Sequence, residues 1–255
     1  LQLWFPHRAL AAAACGAFVL TVGSGPSFAD PGVEPPAVIE SSFGNAPFLT
    51  WDPPTEKVYT QELGHADYSA EIHYDLGLYF YEVGEYELSL KHYRRATEID
   101  PQFPEAYFGI GLLFYTLGDD ENAIRYYRES LARDPDDADT RNNLGLIHYR
   151  RGELVLAREQ IEEAVRLQPD FPDALYNLGL VYYQQSELQS AVTNFLAALR
   201  LDPEYLRARF NLGVVYFEMG MMDLAEEQWL AISETAPGTP LADQARENLA
   251  IIHER

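Results

Sequence analysis

Polar and apolar residues fall into paired blocks along most of the chain. In ALYNLGLVYY (174–183) and again in SAVTNFLAALRL (190–201), apolar side chains return every three or four residues, the period of one helix face. Between such blocks lie Gly84, Gly118, Gly152 and Gly220, where a left-handed residue ends a helix at little cost. Each second block stops just before a proline, which cannot continue a helix interior. The pattern predicts a series of helix–turn–helix pairs. A single further helix is expected over LADQARENLAIIH, residues 241–253.

The pairs are copies of one unit. Pro101, Pro135, Pro169, Pro203 and Pro237 each follow the last by 34 residues, a period that composition cannot generate. With the proline counted as position 32, the units are 70–103, 104–137, 138–171, 172–205 and 206–239. Position 7 is then Leu76, Ile110, Leu144, Leu178 and Leu212, and position 8 is Gly77, Gly111, Gly145, Gly179 and Gly213. Position 20 is small (Ser89, Ala123, Ala157, Ala191, Ala225), and position 24 is large (Tyr93, Tyr127, Ile161, Phe195, Trp229). Small sites let two helices approach, and the large site fills the space beside them.

These positions resemble the tetratricopeptide repeat, with its Leu-Gly, aromatic, Ala, Phe and Pro over 34 residues. The resemblance covers residues 70–239. It implies an all-α, right-handed superhelical solenoid of antiparallel helix pairs, closed here by a capping helix within residues 240–255. In that helix Ala245, Leu249 and Ile252 are placed to cover the last repeat, while Asp243, Arg246, Glu247 and Arg255 face water. The departures are Ser186 in place of a turn glycine, Ile232 in place of a small residue at position 27, and His73, Arg141 and Arg209 at position 4.

The resemblance also implies a function, the binding of a protein segment along the concave face lined by the first helices. Position 6 supplies Asn143, Asn177 and Asn211, amides that both donate and accept and that suit a peptide backbone. Position 12 supplies Tyr81, Tyr115, Tyr149, Tyr183 and Phe217; position 5 supplies Tyr74, Phe108, Tyr176 and Phe210. Such aromatics anchor partners at low entropic cost. The same residues also suit packing between neighbouring repeats. A clamp for a terminal carboxylate is not expected, because position 2 is Glu71, Glu105, Asp139 and Asp173, with Arg207 the lone cation.

Ahead of the repeats, residues 1–29 have the anatomy of a secretory leader: His7 and Arg8, an apolar stretch from Ala9 to Val22, and Ser27-Phe28-Ala29 as a cleavage site. Export, in bacteria to the periplasm, is the expectation, with lipid anchoring through Cys15 as the minor alternative and no membrane span in the mature chain. Residues 30–59 read as an extended proline-rich linker, although Phe43, Phe48, Leu49 and Trp51 make it too apolar to be inert. Residues 60–69 form a lead-in.

Net charge narrows the partner. At −22 the chain repels phosphate backbones, which argues against nucleic acid and favours a basic or amphipathic protein segment. Homo-oligomerisation, or service as an accessory subunit of an envelope or secretion assembly, are the competing roles. The histidines His65, His73, His92, His148 and His253 are scattered, and no HExxH, phosphate loop or nucleophile motif occurs. The expectation is therefore a non-catalytic protein without cofactor or metal.

Overall fold

The computed structural model of the chain describes residues 69–253. The leader with Cys15, the proline-rich linker and the lead-in before Ser69 lie outside those residues, as does Arg255. Among the described residues there are eleven helices and no strand. They are α1 (Ala70–Glu82), α2 (Tyr86–Ile99), α3 (Pro104–Thr116), α4 (Asp120–Leu131), α5 (Ala138–Arg150) and α6 (Leu154–Leu167). After these come α7 (Pro172–Gln184), α8 (Leu188–Leu201), α9 (Leu206–Glu218), α10 (Met222–Thr235) and α11 (Pro240–His253). Each helix packs on the next in the chain, and α1 also touches α3, α5 touches α7 and α9 touches α11. This is the solenoid of helix pairs expected from the 34-residue period.

Local chemistry sets the helix starts. Asp119 and Asp137 cap α4 and α5 by accepting from the backbone N–H groups of Asn122 and Asp139. Pro104 and Pro172 open α3 and α7, where the missing N–H would have had no helical partner. The turn inside each pair uses one device five times over. The N–H of the turn residue bonds a carbonyl three residues back, as in Gly84 to Tyr81, and the next N–H reaches five back, as in Glu85 to Phe80. Ser186 keeps this arrangement, bonding Tyr183, and takes the left-handed φ of 61° that glycine supplies elsewhere.

The helices of a pair meet where position 8 has no side chain. A Cβ on Gly77 would stand 2.5 Å from the Tyr93 ring, and one on Gly213 would stand 2.5 Å from the Trp229 indole nitrogen. Tyr93, Tyr127, Ile161, Phe195 and Trp229 are all completely buried. Ser89, also fully buried, satisfies its hydroxyl by donating to the Gly77 carbonyl at 2.8 Å. Trp229 likewise donates its indole N–H to the Phe210 carbonyl at 3.2 Å.

The far end is closed by α11. Ala242, Ala245 and Leu249 are buried, Ile252 is half-buried, and Asp243, Arg246 and Glu247 face solvent. Ile232, the bulky departure at position 27, is buried in the same core as Ala242 and Ala245. Two small cap residues thus share a core with one large residue of the last repeat.

Candidate functional site

Helices α1, α3, α5, α7 and α9 carry every predicted groove residue, and the structure sorts those residues into three rows. Position 5 turns inward. Its rings rest on the position-24 ring of the same repeat: Tyr74 on Tyr93 at 5.7 Å, Phe108 on Tyr127 at 5.7 Å, Tyr176 on Phe195 at 5.8 Å and Phe210 on Trp229 at 6.3 Å between centroids. Tyr176 and Phe210 belong to the main hydrophobic core, so for them the inward packing replaces the expected place on a groove floor. A large position-24 partner draws the position-5 ring toward itself.

Position 6 forms bonds between repeats. Asn177 donates its amide N–H to Asn142 Oδ1 at 2.9 Å, and Asn211 donates to the Tyr176 hydroxyl at 3.0 Å. Both partners lie 35 residues earlier, at position 5 of the preceding repeat. Asn143 has Phe108 at the corresponding place, which offers no acceptor, and the Asn143 amide nitrogen makes no hydrogen bond. Asn142 was not legible as a member of this row, because only the 35-residue offset between positions 6 and 5 reveals it.

Position 12 makes a second ladder with the same offset, now reaching forward to position 13 of the next repeat. The Tyr81 hydroxyl meets Thr116 Oγ1 at 2.7 Å, the Arg150 guanidinium lies over the Tyr115 ring at 4.5 Å, and Tyr149 is hydrogen-bonded with Gln184. Tyr183 donates a short hydrogen bond to Glu218. Burial pushes the Tyr81, Tyr149 and Tyr183 hydroxyls above the ordinary phenol value, and Glu218 adds to the effect at Tyr183. They stay neutral at physiological pH. Phe217 ends the row and packs on Trp229 at 6.0 Å.

A cavity of about 520 Å³ opens among the first three repeats. Tyr74, Leu78, Phe108 and Leu112 supply its apolar walls, and Glu105, Asp134, Asp136, Asp137, Asp139 and Asp170 its acids. Gly109 lies in its lining at position 6, where the three following repeats carry asparagine. Burial first, and then the charges of Glu105, Asp75, Asp137 and Asp139, hold the Tyr74 hydroxyl well above its usual range. The sequence did carry a signal for this cavity, the break at Gly109 in an otherwise polar column, but nothing in one chain said that the break was deep.

Elsewhere the ionisable groups serve packing. His148 Nδ1 lies 2.5 Å from Glu153 Oε2, and His73 and His92 share a hydrogen bond between their Nδ1 atoms at 3.0 Å. Among the described residues no three histidine, cysteine or acidic side chains converge as a metal site would require, and no helix is long and apolar enough to cross a membrane.

Comparison with known proteins adds a family and a set of folds. The family profile described as TPR repeat matches residues 77–118, 111–152, 147–186 and 179–220. The crystal structure of MamA aligns at 22% identity over 67% of this chain and 97% of its own, with a TM-score of 0.57. The structure of YrrB, described as a TPR protein with an unusual peptide-binding site, aligns at 23% identity over 70% of this chain and 92% of its own, with a TM-score of 0.58. TTC0263, a thermophilic TPR protein in Thermus thermophilus, aligns at 25% identity over 73% of this chain and all of its own, with a TM-score of 0.56. No curated protein sequence matches the chain.

Proposed function

Because the family matches run from residue 77 to residue 220, over half its length, the chain belongs to the TPR repeat family, and we propose that it is a non-catalytic module binding an extended segment of a partner protein along its first-helix face. The observation that carries this reading is the position-12 row. Tyr81, Tyr115 and Tyr183 are part-exposed and each is fixed by a side chain of the next repeat, while Tyr149 of the same row is buried. Rings held in this way offer contact area whose ordering cost has been met on folding. A peptide-binding site in YrrB's description supports the same use of the fold. The leader-like residues 1–29 favour action outside the cytoplasm, where the module would recruit or assemble envelope proteins.

The test is site-directed photocrosslinking in intact cells. A crosslinker replacing Tyr115 or Tyr183 should capture one defined partner, whereas one replacing Leu196, which is 41% exposed on the second helix of repeat four, should not. Capture of a second copy of this chain alone from the Tyr115 and Tyr183 positions would sink the adaptor reading and favour a self-associating solenoid. Mass analysis of the mature chain checks export independently, with a start at Asp30 as the expected result.

A further inference from the structure

We propose that the solenoid is hinged between repeats two and three: repeats one and two form an arm that pivots on a single body made of repeats three to five and α11. The pivot is the connector between α4 and α5, and Arg150 is the clasp across it. This follows from how the repeats are joined and does not depend on the module reading above.

The connector is unlike its counterparts. The other second helices, α2, α6, α8 and α10, each run for 14 residues, but α4 has 12 and ends at Leu131. Residues 132–137 therefore join α4 to α5, whereas the shorter segments 100–103, 168–171, 202–205 and 236–239 serve at the other junctions. A few residues outside regular elements are what a hinge needs to absorb a change in backbone angles. The bonds that hold this connector divide within it. Arg133 Nε donates to the Pro101 carbonyl of the arm at 2.6 Å, and Arg141 Nε, from the body, donates to the Pro135 carbonyl at 3.0 Å. Asp134 lies between the two attachments, where rotation disturbs neither.

Packing across the same junction is thin. α4 meets α5 more sparsely than any other second helix meets the helix that follows it. The first helices α1 and α3 pack together, as do α5 and α7, but α3 and α5 do so less closely. α7 and α9 are also less close, yet there the Asn211–Tyr176 hydrogen bond spans the gap. The matching rung between repeats two and three is missing, because Phe108 offers no acceptor and the buried Asn143 amide nitrogen stays unbonded. One continuous core runs from Ala138 to Leu249. α4 has no share in it: Ala123, Ile124 and Tyr127 form a separate small cluster with Leu144 and Ile147. The cavity of about 520 Å³ among repeats one to three leaves room for movement at this place. Sparse contact beside a void is where a close-packed array yields first.

Charge closes the junction at the groove side. Arg150 of α5 pairs with Asp120 at the start of α4, and its guanidinium lies over the Tyr115 ring of α3 at 4.5 Å. Both members of the ion pair are part-exposed, so water and salt weaken it more readily than they weaken an apolar contact. The clasp therefore holds the arm without locking it. Tyr115 belongs to the arm and Tyr149 to the body, so the pivot changes the spacing between these two members of the position-12 row. Tyr149 and Tyr183 share the body and keep theirs.

The experiment uses the full chain with Cys15→Ser, which removes its one native cysteine, and spin labels on pairs of introduced cysteines at exposed positions. Leu117→Cys with Leu230→Cys reports the arm against the body, and Val155→Cys with Leu230→Cys reports the body alone. Distance distributions from pulsed electron resonance should be broad for the first pair and narrow for the second. Arg150→Ala should broaden the first distribution further. Phe108→Tyr, which supplies the missing acceptor, should narrow it, and neither variant should move the second. Equal widths for the two pairs in the parent chain would overturn the proposal, as would a first distribution that neither variant changes. The second pair also checks that each variant is folded. Where Arg150→Ala loses the narrow second distribution by misfolding, the parent widths and Phe108→Tyr decide the matter.

Discussion

Asn211 donates its side-chain N–H to the hydroxyl of Tyr176, 35 residues earlier, at 3.0 Å. Asn177 does the same toward Asn142, and the series stops at Asn143 because Phe108 has no acceptor to offer. Phe108→Tyr should complete the rung. The gain is the worth of one hydrogen bond with its donor previously unpaired, about 1 kcal/mol. Thermal unfolding of the full chain checks it: the midpoint rises, and it does not rise when Asn143→Leu is present as well.

Ser186 sits at φ 61° in a turn where the four sister positions are glycine. Its backbone bonds match theirs, so the cost lies in its Cβ alone. A left-handed conformation costs a non-glycine residue about 1–2 kcal/mol, partly returned by the smaller unfolded-state entropy of serine. Ser186→Gly should therefore stabilise the chain by roughly 0.5–1 kcal/mol, read as a higher denaturant midpoint with an unchanged slope. A lower midpoint would mean that the serine hydroxyl contributes more than the strain removes.

Much of this architecture was legible because a period of 34 residues converts chain position into place. Gly77 and Tyr93 could be paired on size alone, and Ala245 and Leu249 could be assigned to a cap from their spacing. The direction of a ring was less legible. Tyr176 at position 5 and Tyr183 at position 12 are the same residue on one helix, yet the first packs on Phe195 and the second reaches Glu218 of the next repeat. Phe195 lies in the same repeat as Tyr176, but the partner of Tyr183 lies in the next one, which a register counted within one unit does not contain. The cavity beside Gly109 has the same origin, since its walls come from three different repeats.

Gly213 should tolerate no side chain. A Cβ there meets the Trp229 indole at 2.5 Å, and the indole is held by its bond to the Phe210 carbonyl and by contact with the Phe217 ring. Gly213→Ala forces the indole aside and breaks or stretches that bond, an overpacking cost of about 1–3 kcal/mol. Alanine is the better helix former by up to about 1 kcal/mol, so a neutral result would require almost no clash. Trp229 fluorescence gives the local readout: its emission should shift to the red as the indole leaves its buried place.

Glu153 gives the solenoid a dependence on acid. Its carboxylate accepts from His148 and lies beside Arg151, and these partners, the His148 hydrogen bond foremost, hold its ionisation below the ordinary carboxylate value of 4.5. A lowered carboxyl favours the folded state while it is ionised. The contribution is present above the unfolded-state value and is lost as pH falls through the lower folded-state value. Glu153→Gln keeps an acceptor for His148 but cannot titrate, so the variant should be the less stable protein near pH 6 and should lose less than the parent between about pH 5 and pH 3. Parallel stability profiles for the two proteins across that window would show that the His148–Glu153 contact is not linked to folding.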